Sequence, residues 1–338
     1  MNRLFFVGFY FVVFCCTISA QETTGRVHAV IISGGMNKLM NHERYWNDCA
    51  FLYRVLREDY HFGKQDITLL MSDGGELGRD MLLADGSGFA TSPNDLDGDG
   101  ERDVWLPATL TQVKASLTNL AERLTADDSL LLFLIDHGGS DGRQQSYAWM
   151  WNSERLYDLE LATLLNAFHV ASMVIVIGTC HSGGFIDDLR GENRIIVTSC
   201  AESEQSWACN DRPYDEFVYQ WTCAIAGHDT EGNTVSADNN GDGFVSMAEA
   251  FYYAQQNDRR EETPQYCSMP ALLGELWTLS PELLSGIGGE KAVNCKSAKT
   301  KYFDLQGRVI PTPSGRKIIK KLNAKQSFLH LPIIIIKP

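Results

Sequence analysis

The sequence lacks a basic stripe and is short of positive charge. Lysine and arginine number 29 against 43 aspartates and glutamates, which gives a formal net charge of −14 at pH 7. Proteins that bind nucleic acid need cationic side chains to displace counterions from phosphates, and no cationic cluster precedes the C-terminal tail. The charge balance therefore argues against nucleic acid as a partner, and it favours solubility and the binding of cations.

After residue 20 the sequence also lacks an apolar run long enough to cross a bilayer, and it has no internal repeat of solenoid length. The first twenty residues, "MNRLFFVGFYFVVFCCTISA", place one arginine before an apolar stretch that ends in small residues. This pattern is typical of a secretory signal peptide, and we expect cleavage after Ala20. An uncleaved anchor helix is the alternative. Cleavage predicts an exported mature chain without a membrane span, which is secreted, at the cell surface or in the periplasm.

Removal of the signal would leave an odd number of cysteines. These are Cys49, Cys180, Cys200, Cys209, Cys223, Cys267 and Cys295. Thiols of exported proteins tend to pair, so we expect at least one unpaired and reactive cysteine. Cys49, Cys200, Cys209 and Cys223 are candidates for pairing. The alternative is that most of these cysteines are small buried hydrophobic residues.

Apolar runs of strand length alternate along the chain with longer amphipathic stretches such as Trp46–Arg57 and Leu110–Leu124. The strand-like runs are Arg26–Ser33, Asp66–Met71, Ser129–Asp136, Ser172–Gly178 and Arg194–Ser199. This alternation predicts an α/β fold with a mostly parallel central sheet and helices on both faces. The composition, 44% hydrophobic in 338 residues, allows a large core, and a change in composition predicts that the folded domain ends near residue 285.

Two of the predicted strands run into residues that carry chemistry. His137 follows "LLLFLID" and Cys180 follows "SMVIVIGT", so neighbouring strands would bring an imidazole and a thiol to one edge of the sheet. A thiol is a poor nucleophile until a base favours the thiolate, and the glycines that follow both residues can present N–H groups to an oxyanion. The pair predicts acyl transfer through a thioester. An inert buried cysteine and a core histidine are the alternative, and His181 is a weaker candidate base.

The motifs "DHGG" and "TCHSGG" resemble the legumain family of cysteine peptidases, within the caspase-like clan. The resemblance extends through "HAVIISGG", "ERYWNDC", "TSCAESEQSWACND" and "YDEFVYQW", over roughly residues 26–221. It implies a caspase-like peptidase domain over residues 21–285. It also implies His137 as general base, Cys180 as nucleophile, and the N–H groups of Gly138 and Cys180 as the oxyanion hole.

By matching position, the resemblance implies that Arg44, Ser206 and Asp215 line the pocket for the side chain before the scissile bond. A cation, a carboxylate and a hydroxyl can clasp a carboxamide from both ends, which is how legumains select asparagine. The sequence departs from the family at Gly178, where an acid is common, and at Gln205, where a hydroxyl is expected. A basic side chain paired with Asp215 therefore stays open beside asparagine, and a surface ion pair is the alternative role for Arg44 and Asp215.

The segment "DNNGDGFVSMAE", residues 238–249, fits an EF-hand-like calcium loop with Gly243 at the sharp turn. The predicted ligands are Asp238, Asn240, Asp242, the Phe244 carbonyl, Ser246 and Glu249. The alternative is an acidic turn that caps a helix over Met247–Asn257. A weaker candidate lacks the closing acid and comprises Asp95, Asp97, Asp99 and Asp103. We expect structural calcium and no organic cofactor.

Residues 286–338 form a predicted linker and tail. The part "KYFDLQGRVIPTPSGRKIIKK", from Lys301 to Lys321, resembles the sorting signal of type IX secretion, which implies an encounter with secretion machinery. A disordered basic extension is the alternative.

The sequence as a whole predicts an exported cysteine endopeptidase that acts on peptide or protein substrates. One alternative is a transpeptidase on the same scaffold, because thioester chemistry serves water and amine acceptors alike. Another is a catalytically silent, calcium-stabilised surface binding module.

Overall fold

The computed structural model describes residues 25–142 and 145–280, and the backbone of residues 302–303 and 309–310. The predicted signal peptide, most of the C-terminal tail and Cys295 lie outside the described residues. The chain divides into two units, residues 1–289 and residues 290–338.

A six-stranded sheet forms the centre of the first unit. In chain order the strands of this unit are β1 (Val27–Ser33), β2 (Ile67–Met71), β3 (Met81–Leu82), β4 (Phe89–Ala90), β5 (Ser129–Ile135), β6 (Gly138–Ser140), β7 (Ser146–Met150), β8 (Glu154–Tyr157), β9 (Ser172–Gly178), β10 (Arg194–Thr198) and β11 (Gln265–Met269). The central sheet has the order β11-β10-β9-β5-β1-β2, and only β11 is antiparallel to its neighbour. The predicted α/β fold with a mostly parallel central sheet is confirmed.

Within residues 25–142 and 145–280, seven α-helices pack around the sheet or join its strands. They are α1 (Glu43–Arg54), α2 (Leu110–Arg123), α3 (Asp158–Leu165), α4 (Phe185–Leu189), α5 (Glu216–Ala226), α6 (Met247–Asn257) and α7 (Leu273–Leu276). A single π-helical turn, Val55–Asp59, extends α1. The α2 helix begins where the Thr109 hydroxyl accepts a hydrogen bond from the Gln112 N–H at 3.3 Å.

The central strands are buried on both faces, which is why they read as continuous apolar runs rather than as alternating patterns. Every residue of β5 and β9 is buried. Leu131 and Phe133 pack into one apolar core, and Leu130 and Leu132 pack into a second core on the opposite face. Helices cover both faces because each face needs an apolar partner.

The five predicted strands are confirmed to within one residue at each end. The stretch Leu110–Leu124 matches α2 to within one residue, and Trp46–Arg57 runs from α1 into the π-helical turn. The predicted helix over Met247–Asn257 is confirmed as α6. The sequence did not predict β11, because "QYCSM" is half exposed and has no apolar run. The small antiparallel sheet β6-β7-β8 and the β3-β4 hairpin were also missed, since their strands are short and mix polar with apolar residues.

The six described cysteines are all free. The prediction that Cys49, Cys200, Cys209 and Cys223 could pair with one another is therefore wrong for this structure. Cys49, Cys200 and Cys223 are instead buried as small apolar side chains.

No helix within the described part of the chain is long and apolar enough to cross a bilayer. In the second unit, β12 (Tyr302–Phe303) and β13 (Val309–Ile310) form an antiparallel pair.

Gly178 ends β9, and the structure gives a physical reason for its lack of a side chain. A Cβ atom at this position would lie 2.6 Å from Ile135 Cδ1 and 2.6 Å from Val218 Cγ1. Contacts that short do not occur without displacement of the neighbours. The space that an acidic side chain would need is thus filled by β5 and α5.

We predict that Gly178→Ala lowers the free energy of unfolding by about 1–3 kcal/mol, because it overpacks this junction. Chemical denaturation would measure the change. Gly78→Ala is a matched control, since a Cβ there has only an Asp73 carboxylate oxygen, at 3.9 Å, within reach. Equal stability of the two variants would contradict the overpacking argument.

Candidate active site

Strand register brings His137 and Cys180 to one edge of the central sheet. β5 and β9 are parallel neighbours in which Ile135 pairs with Gly178. His137 and Cys180 each lie two positions beyond that pair. The two strands therefore bring them to the same level at this edge of the sheet. The prediction that these strands are adjacent is confirmed.

The Cys180 side chain is half-buried at this edge, and its Sγ lies 3.7 Å from the carbonyl oxygen of Ser206. Burial raises the pKa of the thiol, and hydrogen bonding to the backbone of Ser206 and Gly138 acts in the opposite direction. Burial has the larger effect on the pKa, so at neutral pH the resting side chain is a thiol rather than a thiolate.

The His137 ring is held by its backbone surroundings and by two other rings. Its Nε2 lies 3.2 Å from the Met40 carbonyl oxygen, and the ring meets His42 and Tyr45 edge-on at centroid distances of 5.2 and 5.3 Å. With Nε2–H donating to Met40, Nδ1 keeps the lone pair that a base needs. Desolvation, and next the charge of Arg44, lower the pKa of His137 to about 4.

No hydrogen bond joins the His137 imidazole to the Cys180 thiol among the residues that the structure describes. Both groups are neutral at neutral pH, since the pKa of His137 is lowered and that of Cys180 is raised. Resting contacts of catalytic pairs are often long and tighten when substrate binds. The arrangement is a neutral thiol and a neutral base, rather than a thiolate–imidazolium pair.

Asp136 organises the backbone on either side of the histidine. Its carboxylate accepts hydrogen bonds from the N–H groups of His137, at 2.6 Å, and Gly35. Burial raises the pKa of Asp136 to about 8, and these two hydrogen bonds oppose that shift. The side chain therefore joins the end of β5 to the loop that follows β1.

Gly138 lies against Cys180, and only a glycine fits there. A Cβ at this position would lie 2.2 Å from the Cys180 carbonyl oxygen and 2.8 Å from Thr179 Cβ. The close approach places the Gly138 backbone beside the backbone of Cys180, and hydrogen bonding from Gly138 lowers the pKa of the Cys180 thiol. This N–H is therefore positioned beside the atom that would attack a carbonyl group.

His181 follows the nucleophile in the left-handed conformation, with φ 61°. Its Nδ1 lies 2.6 Å from the Glu202 carbonyl oxygen, so the ring is tied to the segment that follows β10. A non-glycine residue with this backbone is strained, and such strain is common at functional sites. The His181 ring is therefore held at the Glu202 carbonyl oxygen.

Of the three predicted pocket residues, Arg44 and Asp215 pair with each other, and Ser206 contacts Cys180. Arg44 Nε donates to Asp215 Oδ1 at 3.1 Å, and Arg44 Nη2 donates to the Tyr45 hydroxyl at 2.8 Å. Ser206 touches the Cys180 sulfur through its carbonyl group, and Asp215 is near enough to raise the pKa of the thiol. Arg44 and Asp215 are mostly buried, with 21% and 8% of their side chains exposed. They form a fixed ion pair rather than two solvated charges.

The structure adds two acidic residues near the pocket that sequence reasoning missed. Asp48, on α1, accepts hydrogen bonds from the Asp215 N–H at 3.1 and 3.4 Å. Glu262 accepts from the Trp207 N–H at 3.3 Å, and burial together with Asp258 raises its pKa to about 9. Asp48 could have been suspected from its i, i+4 spacing to Arg44, whereas nothing in the sequence links residue 262 to residue 207.

A cavity of about 620 Å³ adjoins the pocket. Three segments line it: residues 42–44, residues 82–86 around the β3-β4 hairpin, and residues 208–210 with 212–213. The cavity shares Arg44 with the pocket and His42 with the surroundings of His137. A peptide that places one side chain beside Arg44 has room here for its neighbouring residues.

The segment 238–249 forms a tight loop that leads into α6. Asp238 accepts from the N–H groups of Gly241, at 2.7 Å, and Gly243, at 2.9 Å, with Gly243 at φ 92°. Glu249 accepts from Ser246 and from the N–H of Asn240, which folds the end of the loop back onto its beginning. Within the described residues no lysine or arginine forms a salt bridge with Asp238, Asp242 or Glu249. Oxygen ligands without a counter-charge fit a calcium ion.

The second acidic loop has its own cations. The carboxylates of Asp95, Asp97 and Asp99 lie within 4.8 Å of one another. Lys64 Nζ is 2.8 Å from Asp99 and 3.0 Å from Asp103, and the Asp103 carboxylate also accepts from Tyr53 and Leu96. Lys64 thus supplies a counter-charge to Asp99 and Asp103, whereas among the described residues no lysine or arginine pairs with the carboxylates of residues 238–249.

Comparison with known proteins gives one family match. Residues 111–264 match the model of the Peptidase C13 family, and this segment contains both His137 and Cys180. A search of the curated proteins finds no match to the chain. Residues 111–264, which include both strand ends, are thus similar to cysteine peptidases of the Peptidase C13, or legumain, family.

Proposed function

We propose that this protein is an endopeptidase in which Cys180 is the nucleophile and His137 is the general base. The observation that carries the proposal is the β5–β9 register, which brings these two residues of the family-matched segment to one sheet edge. Gly138, pressed against Cys180, supports an oxyanion hole made by the N–H groups of Gly138 and Cys180.

The proposed reaction begins with a neutral pair. As Cys180 Sγ attacks the peptide carbonyl carbon, its proton passes to Nδ1 of His137, while Nε2–H continues to donate to Met40. The carbonyl oxygen becomes an oxyanion that the two N–H groups stabilise. His137 then returns the proton to the leaving amine, and a thioester remains. Water, activated by the same imidazole, hydrolyses the thioester and releases the acid.

The Arg44–Asp215 pair is the proposed site for the side chain that precedes the scissile bond. An asparagine carboxamide suits this pair, because its oxygen can accept from the guanidinium and its amide can donate to the carboxylate. With no acid at Gly178, Asp215 is the carboxylate closest to Arg44 in this pocket. A lysine or arginine side chain is the competing choice, and it would have to displace Arg44 from Asp215.

We also propose export, which is supported by the apolar segment of residues 1–20 and by the sorting-like tail. Peptides or proteins outside the cytoplasm would then be the substrates.

The nucleophile assignment is tested with fluorogenic peptides that carry Asn, Asp, Arg, Lys or Ala before the scissile bond. We predict that Cys180→Ala lowers kcat by about 10⁴-fold or more, because the thioester cannot form. Cys267→Ala is the matched control, since Cys267 is a free thiol on β11. Cleavage that survives in Cys180→Ala, or that is lost equally in both variants, would contradict the assignment.

The pH profile tests the base. His137 must be neutral to accept a proton, and its pKa is lowered to about 4. We therefore predict that kcat/KM stays high down to mildly acidic pH and falls with a midpoint near pH 4, rather than near the ordinary histidine pKa of about 6.5. Initial rates with the best peptide would measure the profile, and circular dichroism would verify that the enzyme stays folded. A midpoint above pH 6 would argue against His137 as the neutral base.

We propose calcium as a structural ion in the loop of residues 238–249. The uncompensated carboxylates and the sharp Gly243 turn support this choice, and the loop leads into α6, which packs on α5 through Phe251 and Phe217. Bound calcium would stabilise the folded state by mass action. Asp215 immediately precedes α5, so the ion would support the helix that adjoins the proposed pocket carboxylate.

We predict that calcium at about one hundred times its Kd stabilises the enzyme by about 2.7 kcal/mol, visible as a rise in Tm. Asp242→Asn should reduce the rise at a given calcium concentration, because it removes the charge of one ligand. Asp99→Asn, the corresponding change in the other acidic loop, is the control and should keep it. A Tm that calcium does not alter would contradict the proposal, and a rise that only Asp99→Asn abolishes would move the site to residues 95–99.

A further inference from the structure

Two residues of α1 meet Asp215 from one side. Arg44 and Asp48 are one helical turn apart, so both face the residue that begins α5. Arg44 holds the Asp215 side chain at Oδ1, and Asp48 accepts from the Asp215 backbone N–H. Asp215 also pairs with Ala208 in an isolated β-bridge, so its position sets that of the segment that follows Ser206. The placement of the pocket wall therefore depends on how α1 holds Asp215.

The site holds more buried acid than it can keep ionised. As whole residues, Asp48 and Asp215 are 2% and 5% exposed to solvent. Among the described residues, Arg44 is the one cation that contacts this pair of carboxyl groups. Two carboxylates this close cannot both lose their protons at low cost. Because Arg44 binds Asp215 directly, Asp215 keeps the charge and Asp48 keeps the proton. Burial, and next the charge of Asp215, raise the pKa of Asp48 well above its usual range.

The other titratable groups around Asp48 do not change this balance at neutral pH. They are Cys49 on α1, Cys209 and Tyr214 before α5, and Cys223 on α5. Burial raises the pKa of each, so all four are neutral. Asp215 and Arg44 are thus the charged groups that act on Asp48 from the elements packed against it.

A proton on Asp48 would also give a hydrogen-bond donor to an acceptor on Asp215 that otherwise has none. Asp215 Oδ2 is buried and has no hydrogen-bond partner in the described part of the chain. A protonated Asp48 has one O–H to donate and still has an oxygen to accept the Asp215 N–H. Burial raises the pKa of Asp215 as well, but the charge of Arg44 opposes that rise, so Asp215 is the carboxyl group of the two that the cation keeps ionised.

We propose that Asp48 is a positioning residue of the substrate pocket, and that as a protonated carboxyl group it holds both the backbone and the side chain of Asp215 opposite Arg44. The proposal rests on the assignment of Arg44 and Asp215 to that pocket. Asp48 itself does not touch substrate. Its role is to keep the carboxylate of Asp215 aimed and charged.

Asparagine is the informative replacement at position 48. Its carbonyl oxygen can accept from the Asp215 N–H and its amide can donate to Asp215, so it reproduces both contacts without a titratable proton. Alanine removes both contacts. Asp48→Asn and Asp48→Ala are therefore compared with wild type, and Glu58→Gln, an exposed acid just beyond α1, is the control.

The kinetic arm measures KM and kcat on the preferred peptide at pH 6–8. Asp48→Ala should raise KM about tenfold, which corresponds to about 1.4 kcal/mol, with a smaller change in kcat. Asp48→Asn should restore KM to within about threefold of wild type. An Asn variant as defective as the Ala variant would overturn the proposal, because a carboxylate charge would then be required. An Ala variant with wild-type KM would also overturn it.

The stability arm measures Tm against pH and needs no substrate. A carboxyl group whose pKa is raised on folding contributes stability below its unfolded pKa of about 3.9, and loses it as pH rises. Asp48→Asn has no carboxyl group to lose this stability as the pH rises. The Tm of this variant minus the Tm of wild type should therefore be larger at pH 7 than at pH 4 by at least about 3 °C. A Tm difference between Asp48→Asn and wild type that does not depend on pH would contradict the proposal that Asp48 is protonated. If no peptide is cleaved by wild type, the peptidase proposal fails, and this arm still decides the protonation of Asp48.

Discussion

The parallel register between β5 and β9 is the constraint on which the rest of the site depends. Because Ile135 pairs with Gly178, two buried strands deliver a histidine and a cysteine to the same level at the carboxyl edge of the sheet. Neither residue is held by a flexible loop alone. The strands are buried on both faces, so a slip of one residue would turn whole rows of apolar side chains into the wrong core. Because such a slip would disrupt both apolar cores, packing of the cores fixes the spacing between His137 and Cys180.

Burial also decides the electrical state of the site. It lowers the pKa of His137 and raises those of Cys180, Asp48 and Asp136, so most of the ionisable groups near the sheet edge are uncharged at neutral pH. The charge that remains is concentrated in the Arg44–Asp215 pair. In the proposed reaction, the Cys180 thiol stays protonated until substrate binds and then gives up its proton within the complex. The unreacted thiol is correspondingly less open to chance oxidation, which thiolates favour.

Much of this site could be predicted from the sequence, because its residues follow long apolar strands. The strand ends identified His137 and Cys180, and matching motifs brought in Arg44, Ser206 and Asp215. The β11 strand and the contact between Glu262 and Trp207 could not be predicted, since they depend on pairing between segments far apart in the chain. Protonation states were equally out of reach. A sequence gives the identity of Asp48, but its burial and its contact with the Asp215 N–H exist only in the folded chain. Disulfide pairing failed for the same reason, because it depends on distances between cysteines rather than on their number.

Helix α1 has a dual attachment that bears on how such a protein can change. The helix carries Arg44 and Asp48 towards the pocket, while Tyr45 from its first turn and His42 just before it pack against the ring of His137. A shift of α1 that reshaped the pocket would therefore also move the surroundings of the base. New substrate preferences can arise cheaply only through exchanges of side chains on a helix that stays in place. The position of the α1 backbone is thus constrained from two sides. Changes in selectivity that move this backbone would also alter the surroundings of His137.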